Sequence, residues 1–133
     1  MKTANTISRR AAERAGRRGE LFASLFLLLK GYRILGRRVR TRAGEIDLIA
    51  RSLSGVLCFV EVKARERAES ALEAVRFRQQ GRIARAAELY LARNPQLGQK
   101  KGVRFDLVTV GRGGLPRHFP NAFHPEDWRG NAA

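Results

Sequence analysis

The sequence predicts an α/β domain, a mixed β-sheet flanked by helices, with elements in the order α-β-β-β-α-β. Three observations carry this. Apolar residues recur at helical spacing around Phe22–Leu27 and Ile83–Leu91. Three short β-rich runs lie between these stretches, separated by turn residues. A fourth run, Val103 to Val110, follows the second helix. With 133 residues, 44% of them hydrophobic, the chain can form one domain with a real core.

The first helix is expected over Thr6 to Lys30, with Ser8 as its N-cap and Gly31 where a C-terminal glycine stops it. Phe22, Ala23, Phe26 and Leu27 form the stripe expected to dock on the sheet. Leu21, Leu25 and Leu28 cluster on the other side, where a two-layer domain normally shows water. A second copy of the chain is therefore expected to cover them, as a homodimer; the alternative cover is the C-terminal tail with Phe123 and Trp128. The apolar run Leu21 to Leu29 follows a basic start, as a signal peptide's does, but no small-residue cleavage site comes after it. It is also far shorter than the ~20 residues of a membrane span, so it reads as a helix of a cytoplasmic protein with no membrane partner.

Arg33 to Arg40 alternates loosely and reads as a strand, and Arg42-Ala43-Gly44 as a turn. Glu45 to Ala50 then alternates strictly, which puts Ile46, Leu48 and Ala50 on one face and Glu45, Asp47 and Ile49 on the other. Ser52-Leu53-Ser54-Gly55 is a turn. Val56 to Lys63 is nearly continuous in apolar residues before Glu61 and Lys63, the mark of a central strand. A loop is expected over residues 64–71, and a helix from Leu72 to Arg93 with Ile83, Ala87, Tyr90 and Leu91 inward, ended by Pro95. Arg117-His118-Phe119 can add an edge strand to the Gly- and Pro-rich tail.

The net charge of +15 is lopsided. Residues 1–42 hold 12 basic side chains against Glu13 and Glu20. Such a field attracts polyanions, nucleic acid foremost, with an acidic protein or membrane surface as the other readings. The single cysteine, Cys58, lies in an apolar run and reads as core; one thiol forms no internal disulfide. No phosphate-cradling glycine loop is present, which argues against a nucleoside triphosphate cofactor.

The chemistry is expected at Asp47, Glu61 and Lys63. Glu61-Val62-Lys63 alone could be an ion pair on any exposed strand. However, a five-residue hairpin loop near Leu53 would set Asp47 beside Glu61 on one face. Two adjacent carboxylates repel unless a cation or proton lies between them. A hard divalent ion, Mg²⁺ or Mn²⁺, answers this with oxygen ligands. Lys63, two residues past Glu61, shares its face and could position a water or steady charge developing on phosphorus. Acid, acid and lysine beside a basic surface form a layout for hydrolysing phosphodiester bonds. Arg37, Arg38, Arg40 and Arg42 lead directly into this site and are expected to hold the nucleic-acid backbone. His118 and His124 lack metal-ligand spacing and read as surface or tail packing, Asp106 as one half of a structural ion pair.

Glu45-Ile46-Asp47 followed by Glu61-Val62-Lys63 resembles the signature of the PD-(D/E)xK nuclease superfamily. More specifically, the chain resembles the YraN-like bacterial family of uncharacterised, endonuclease-like proteins, which are similar to archaeal Holliday-junction resolvases. Gly19-Glu20, Gly31 to Leu35, Arg42 to Ile49, Phe59 to Lys63, Arg104-Phe105-Asp106 and Pro120 to Phe123 carry the resemblance in order. It implies a restriction-endonuclease-like core over residues 16–123, after a basic segment 1–15 and before a tail 124–133. It also implies Asp47, Glu61 and Glu20 as metal ligands, Lys63 as the catalytic lysine and Glu45 as an accessory acid. Family members often carry a lysine in the stretch before the second long helix; Gln79 stands there, an accessory position whose plainer reading is a solvated helix face. The expected activity is a magnesium-dependent endonuclease acting on structured or branched DNA. The alternative is a nucleic-acid-binding scaffold of the same fold with little or no turnover.

Overall fold

The computed structural model describes residues 17–64, 77–97, 101–111, 115–126, 128 and 130. The expected Ser8 cap and the loop and helix start over 65–76 lie outside the described residues. Helix α1 covers residues 17–29. Strands β1 (Arg33–Thr41), β2 (Gly44–Arg51) and β3 (Leu57–Lys63) follow. Helix α2 (Phe77–Arg93) and a 3-10 turn at Pro95–Leu97 then lead to β4 (Val103–Thr109) and β5 (Arg117–Phe123). The five strands form one sheet in chain order, so the edge strand expected at Arg117 is present and β3 is central. The β3–β4 pair is parallel, as a connection through α2 requires, and the other pairs are antiparallel. This is the expected α/β architecture, a mixed sheet with helices, consistent with a restriction-endonuclease-like core.

Gly31 ends α1 with φ +91°. Tyr32 N–H donates to Leu27 O and Gly31 N–H to Leu28 O, each at 3.0 Å, the paired bonds of a Schellman cap. Glycine at this position avoids the left-handed penalty that any side chain would incur. At the other end of β1, residues 42 and 43 turn the chain between Thr41 and Gly44, a two-residue hairpin.

The sheet separates two apolar clusters. Ile49, Leu57, Phe59, Phe105 and Leu107 pack against Ile83, Ala86 and Ala87 of α2. Leu48, Cys58, Val60 and Val108 pack against Ala23 and Leu27 of α1. Cys58 is fully buried, as expected of a core residue. Phe123 and Trp128 belong to the α2 cluster, with Trp128 edge-on to Phe105 at 5.2 Å between centroids. Among the described residues, Phe123 and Trp128 therefore do not cover the leucines of α1, which corrects that alternative. Leu21, Leu25 and Leu28 are about half exposed, as the off-face position predicts.

Two sequence expectations about faces change. Phe22 is 53% exposed rather than docked. The docked face of α1 is Gly19, Ala23 and Leu27, spaced four apart, because small residues at the first two places let the helix approach the sheet; a Cβ at Gly19 would stand 3.8 Å from Val62. Ile46 joins the α2 cluster with Ile49 instead of sharing the face of Leu48. β3 pairs with β2 only as far as Leu48, and beyond that point the β1–β2 hairpin is free to twist.

Asp106, fully buried on β4, is the structural ion pair expected of it. Both its oxygens accept from Arg104 at 2.8 Å, His118 Nε2 lies 2.8 Å from Oδ2, and Asn121 N–H donates to Oδ1 at 2.9 Å. These charge-assisted bonds outweigh the cost of burial and hold the carboxyl below its ordinary value. His118 is thus not a surface group. Its side chain is 1% exposed and its Nδ1 meets Lys30 Nζ at 2.6 Å, tying β5 to the end of α1. Aspartate must be reached across a sheet and histidine from the tail, so no local pattern announces the pair. His124 is exposed, as expected.

Candidate metal centre

The β2–β3 loop is five residues long, and Arg51 pairs with Leu57. Carried forward, that register would set Asp47 opposite Glu61, the pairing expected from the sequence. The last backbone pair, however, is Leu48 with Val60; beyond it the strands part. Asp47 fills the gap, its Oδ2 accepting from the Val62 N–H at 2.8 Å. The carboxylate so satisfies a donor that lost its strand partner.

Three acids converge there. Glu20 from α1 and Glu45 and Asp47 from β2 each offer a carboxylate oxygen within 4.8 Å of the others. Gly19, buried beside Val62, puts the next residue, Glu20, at the sheet. Glu61 stands outside this threesome and is bound to Lys63, Nζ to Oε1 3.4 Å. So the structure joins Glu20 to Asp47 as the motif implies, but Glu45, an accessory in the sequence reading, lies closer to them than Glu61's place in the motif suggests.

The acids are held against their tendency to ionise. Burial, then the Asp47 charge, pushes the Glu61 carboxyl up to about 7, against the pull of Lys63. Burial and Asp47 likewise push Glu20 up to about 7, against the nearby Arg38. Burial also raises Asp47, opposed by the Val62 bond and Lys63. Clustered carboxyls that burial keeps from ionising are a set that a dication can stabilise. The donors are all hard oxygens, which fits Mg²⁺ or Mn²⁺ rather than a thiolate- or imidazole-seeking ion.

The four arginines expected to hold the nucleic-acid backbone divide. Arg38, in the left-handed region at φ 50°, turns its Nε to Glu20 at 3.5 Å and Glu45 at 3.4 Å. It is thus part of the acidic site rather than a free backbone contact. Arg37, Arg40 and Arg42 are exposed, with Arg40 Nε 3.6 Å from Glu45. An open cleft of about 310 Å³ runs beside Glu20, lined also by Arg17, Leu21, Arg37 and Arg38.

Residues 19–110 match the model of uncharacterised protein family UPF0102. The chain belongs to this family. Among UPF0102 relatives it is 52% identical over 115 residues to Atu0303 of Agrobacterium fabrum, covering 86% of this chain and 93% of that protein. It is 48% identical to RHE_CH00320 of Rhizobium etli, covering 89% and 95%, and 44% identical to RPA0323 of Rhodopseudomonas palustris, covering 90% of each. This UPF0102 membership is the family that the motifs from Gly19 to Asp106 resemble.

One residue of this UPF0102 site escaped the sequence reading, and another has different surroundings from those expected. Arg82 of α2 acts electrostatically on both Asp47 and Glu61. Gln79, one turn earlier and expected as an accessory position, has a buried Oε1 without a hydrogen-bond partner among the described residues, which replaces the solvated reading of that side chain. Only the glycine at 44, over which Arg82 lies, hinted at a close approach. Among the described residues no helix is long and apolar enough to cross a membrane.

Proposed function

We propose that the protein is a metal-dependent endonuclease that hydrolyses phosphodiester bonds in structured or branched DNA. The observation that carries this is Asp47, set in the gap between β2 and β3 with Glu20 and Glu45 around it and Glu61–Lys63 alongside. Glu20, Glu45 and Asp47 would hold Mg²⁺ or Mn²⁺, with Glu61 as the further acid the motif supplies. Such an ion supplies Lewis-acid stabilisation of charge on the phosphate oxygens. Lys63, oriented by Glu61, would align the attacking water and offset charge on phosphorus. The water oxygen bonds to phosphorus as the ester P–O bond breaks. The water gives up a proton to solvent, and the departing oxygen takes one, so each cut consumes one water.

The basic half of the chain supports a nucleic-acid partner, with the Arg17–Arg37 cleft leading to the acids. The half-exposed Leu21, Leu25 and Leu28 support a second copy of the chain as partner. Leu25→Glu would then lower the mass seen by light scattering, and a strictly monomeric wild type would end this reading.

A second reading, a binding scaffold without turnover, draws on one observation: Arg38 and Lys63 already neutralise part of the acidic cluster. Incubation of a panel of branched, flapped and duplex DNA with Mg²⁺ or Mn²⁺ separates the two. Cleavage by wild type and none by Glu61→Ala supports the enzyme. Binding by both with cleavage by neither supports the scaffold.

A further inference from the structure

Helix α2 brings a cation to the site from the side opposite α1. Gly44 stands at the tip of the β1–β2 hairpin, next to Glu45, with φ +137°. A Cβ there would come within 3.1 Å of Arg82 Cδ, 3.4 Å of its Nε and 3.5 Å of its Cγ. The arginine stem therefore lies across the bare backbone, and the missing side chain makes room for it.

The other cations of the site are engaged. Arg38 is held by Glu20 and Glu45, Arg40 by Glu45, and Lys63 by Glu61. Among the described residues Arg82 has no ion pair, although its charge is felt at Asp47 and Glu61. Ile83 beside it lines one small cavity together with Ile46, Phe59 and Glu61, which puts this turn of α2 next to the site. Gln79, at the helical spacing that stacks it on Ile83, keeps its carbonyl oxygen buried, without a donor among the described residues.

We infer that Arg82, laid over Gly44, is a further substrate-contacting residue, whose guanidinium grips non-bridging oxygens of the phosphate to be cut. A planar fork of N–H donors matches two phosphate oxygens at once, which an ammonium cannot do. The assignment rests on the nuclease reading, and its test must separate the two.

The full chain is compared with Arg82→Ala, Arg82→Lys and, as a control, Arg85→Ala, an exposed arginine of the same helix. Single-turnover cleavage of a branched DNA is followed with Mg²⁺, and binding of the same DNA with Ca²⁺ is followed by anisotropy across a salt series. Arg82→Ala should slow cleavage by about 100-fold or more. Its salt slope should fall by about one, for the loss of one phosphate contact. Arg82→Lys should keep the slope and recover only part of the rate, and Arg85→Ala should stay within about twofold in both. Cleavage and slope both unchanged in Arg82→Ala overturn the inference. A wild type that binds but never cuts overturns the nuclease reading, and the salt slope alone then decides for or against the Arg82 contact. A wild type that neither binds nor cuts overturns both.

Discussion

Asp47 Oδ2 and the Val62 N–H form a 2.8 Å hydrogen bond across the gap where β2 and β3 separate. The bond makes Asp47 both a piece of the sheet and a member of the acidic cluster. An asparagine can keep the bond through its amide oxygen, but loses the charge. Asp47→Asn should therefore fold normally while Mn²⁺ affinity, read by calorimetry, falls by about tenfold or more. Unchanged affinity would place the ion elsewhere.

The raised acids make metal-free stability depend on pH. Glu20 and Glu61 have folded-state values of about 7 against ordinary values of 4.5. The folded chain then holds more protons than the unfolded chain between these limits. Their stabilising contribution is complete below about pH 4.5 and is lost as pH rises through about 7. Thermal unfolding in a chelator should show this decline, and saturating Mn²⁺ should remove it by neutralising the ionised acids. A Tm that climbs through that window without metal would contradict the burial of these carboxyls.

Much of this arrangement is legible in the chain. The five-residue loop already gives the β2–β3 register, which holds from Arg51–Leu57 to Leu48–Val60, one residue short of Asp47 and Glu61, and the run from Val56 marks the central strand. What escapes depends on how elements meet. Phe22 has the right helical phase to dock, but Gly19 and Ala23 let the sheet come closer on a neighbouring stripe. Ile46 follows the twist of a hairpin end released by β3, which alternation cannot report. Lys30 and His118 meet across 88 residues, and Arg82 comes over Gly44, beside Glu45, from a helix distant in sequence. Local patterns encode faces and registers; contacts between distant segments follow only once the layers are packed.

Asp106 tests the structural side of the molecule. Removing its carboxylate leaves the Arg104 guanidinium and the Asn121 N–H without their buried acceptor. Asp106→Ala should cost about 3–5 kcal/mol in denaturant unfolding, the range for breaking one half of a buried pair. Because its carboxyl is held below the ordinary 3.8, the contribution it makes is present above that pH and is lost as acid titrates it. A loss no larger than that of an exposed position such as Glu88→Ala would mean that this network does not support the fold.

The exposed arginines of the first hairpin test the approach of nucleic acid. Arg37 and Arg42 face solvent and Arg40's side chain is 89% exposed, whereas Arg38 is occupied by Glu20 and Glu45. If Arg37, Arg40 and Arg42 lie along a phosphate backbone, each releases counterions on binding, and affinity for DNA falls steeply with salt. Reversing Arg37 and Arg42 together to glutamate should lower the slope of log affinity against log salt by about two. Arg38→Gln should act differently. It frees two carboxylates of an internal cation, so Mn²⁺ binding should tighten while the salt slope moves less than in the double reversal. A slope untouched by the double reversal would take this hairpin out of the DNA path, and equal effects of all the arginines on the slope would erase the distinction between Arg38 and its neighbours.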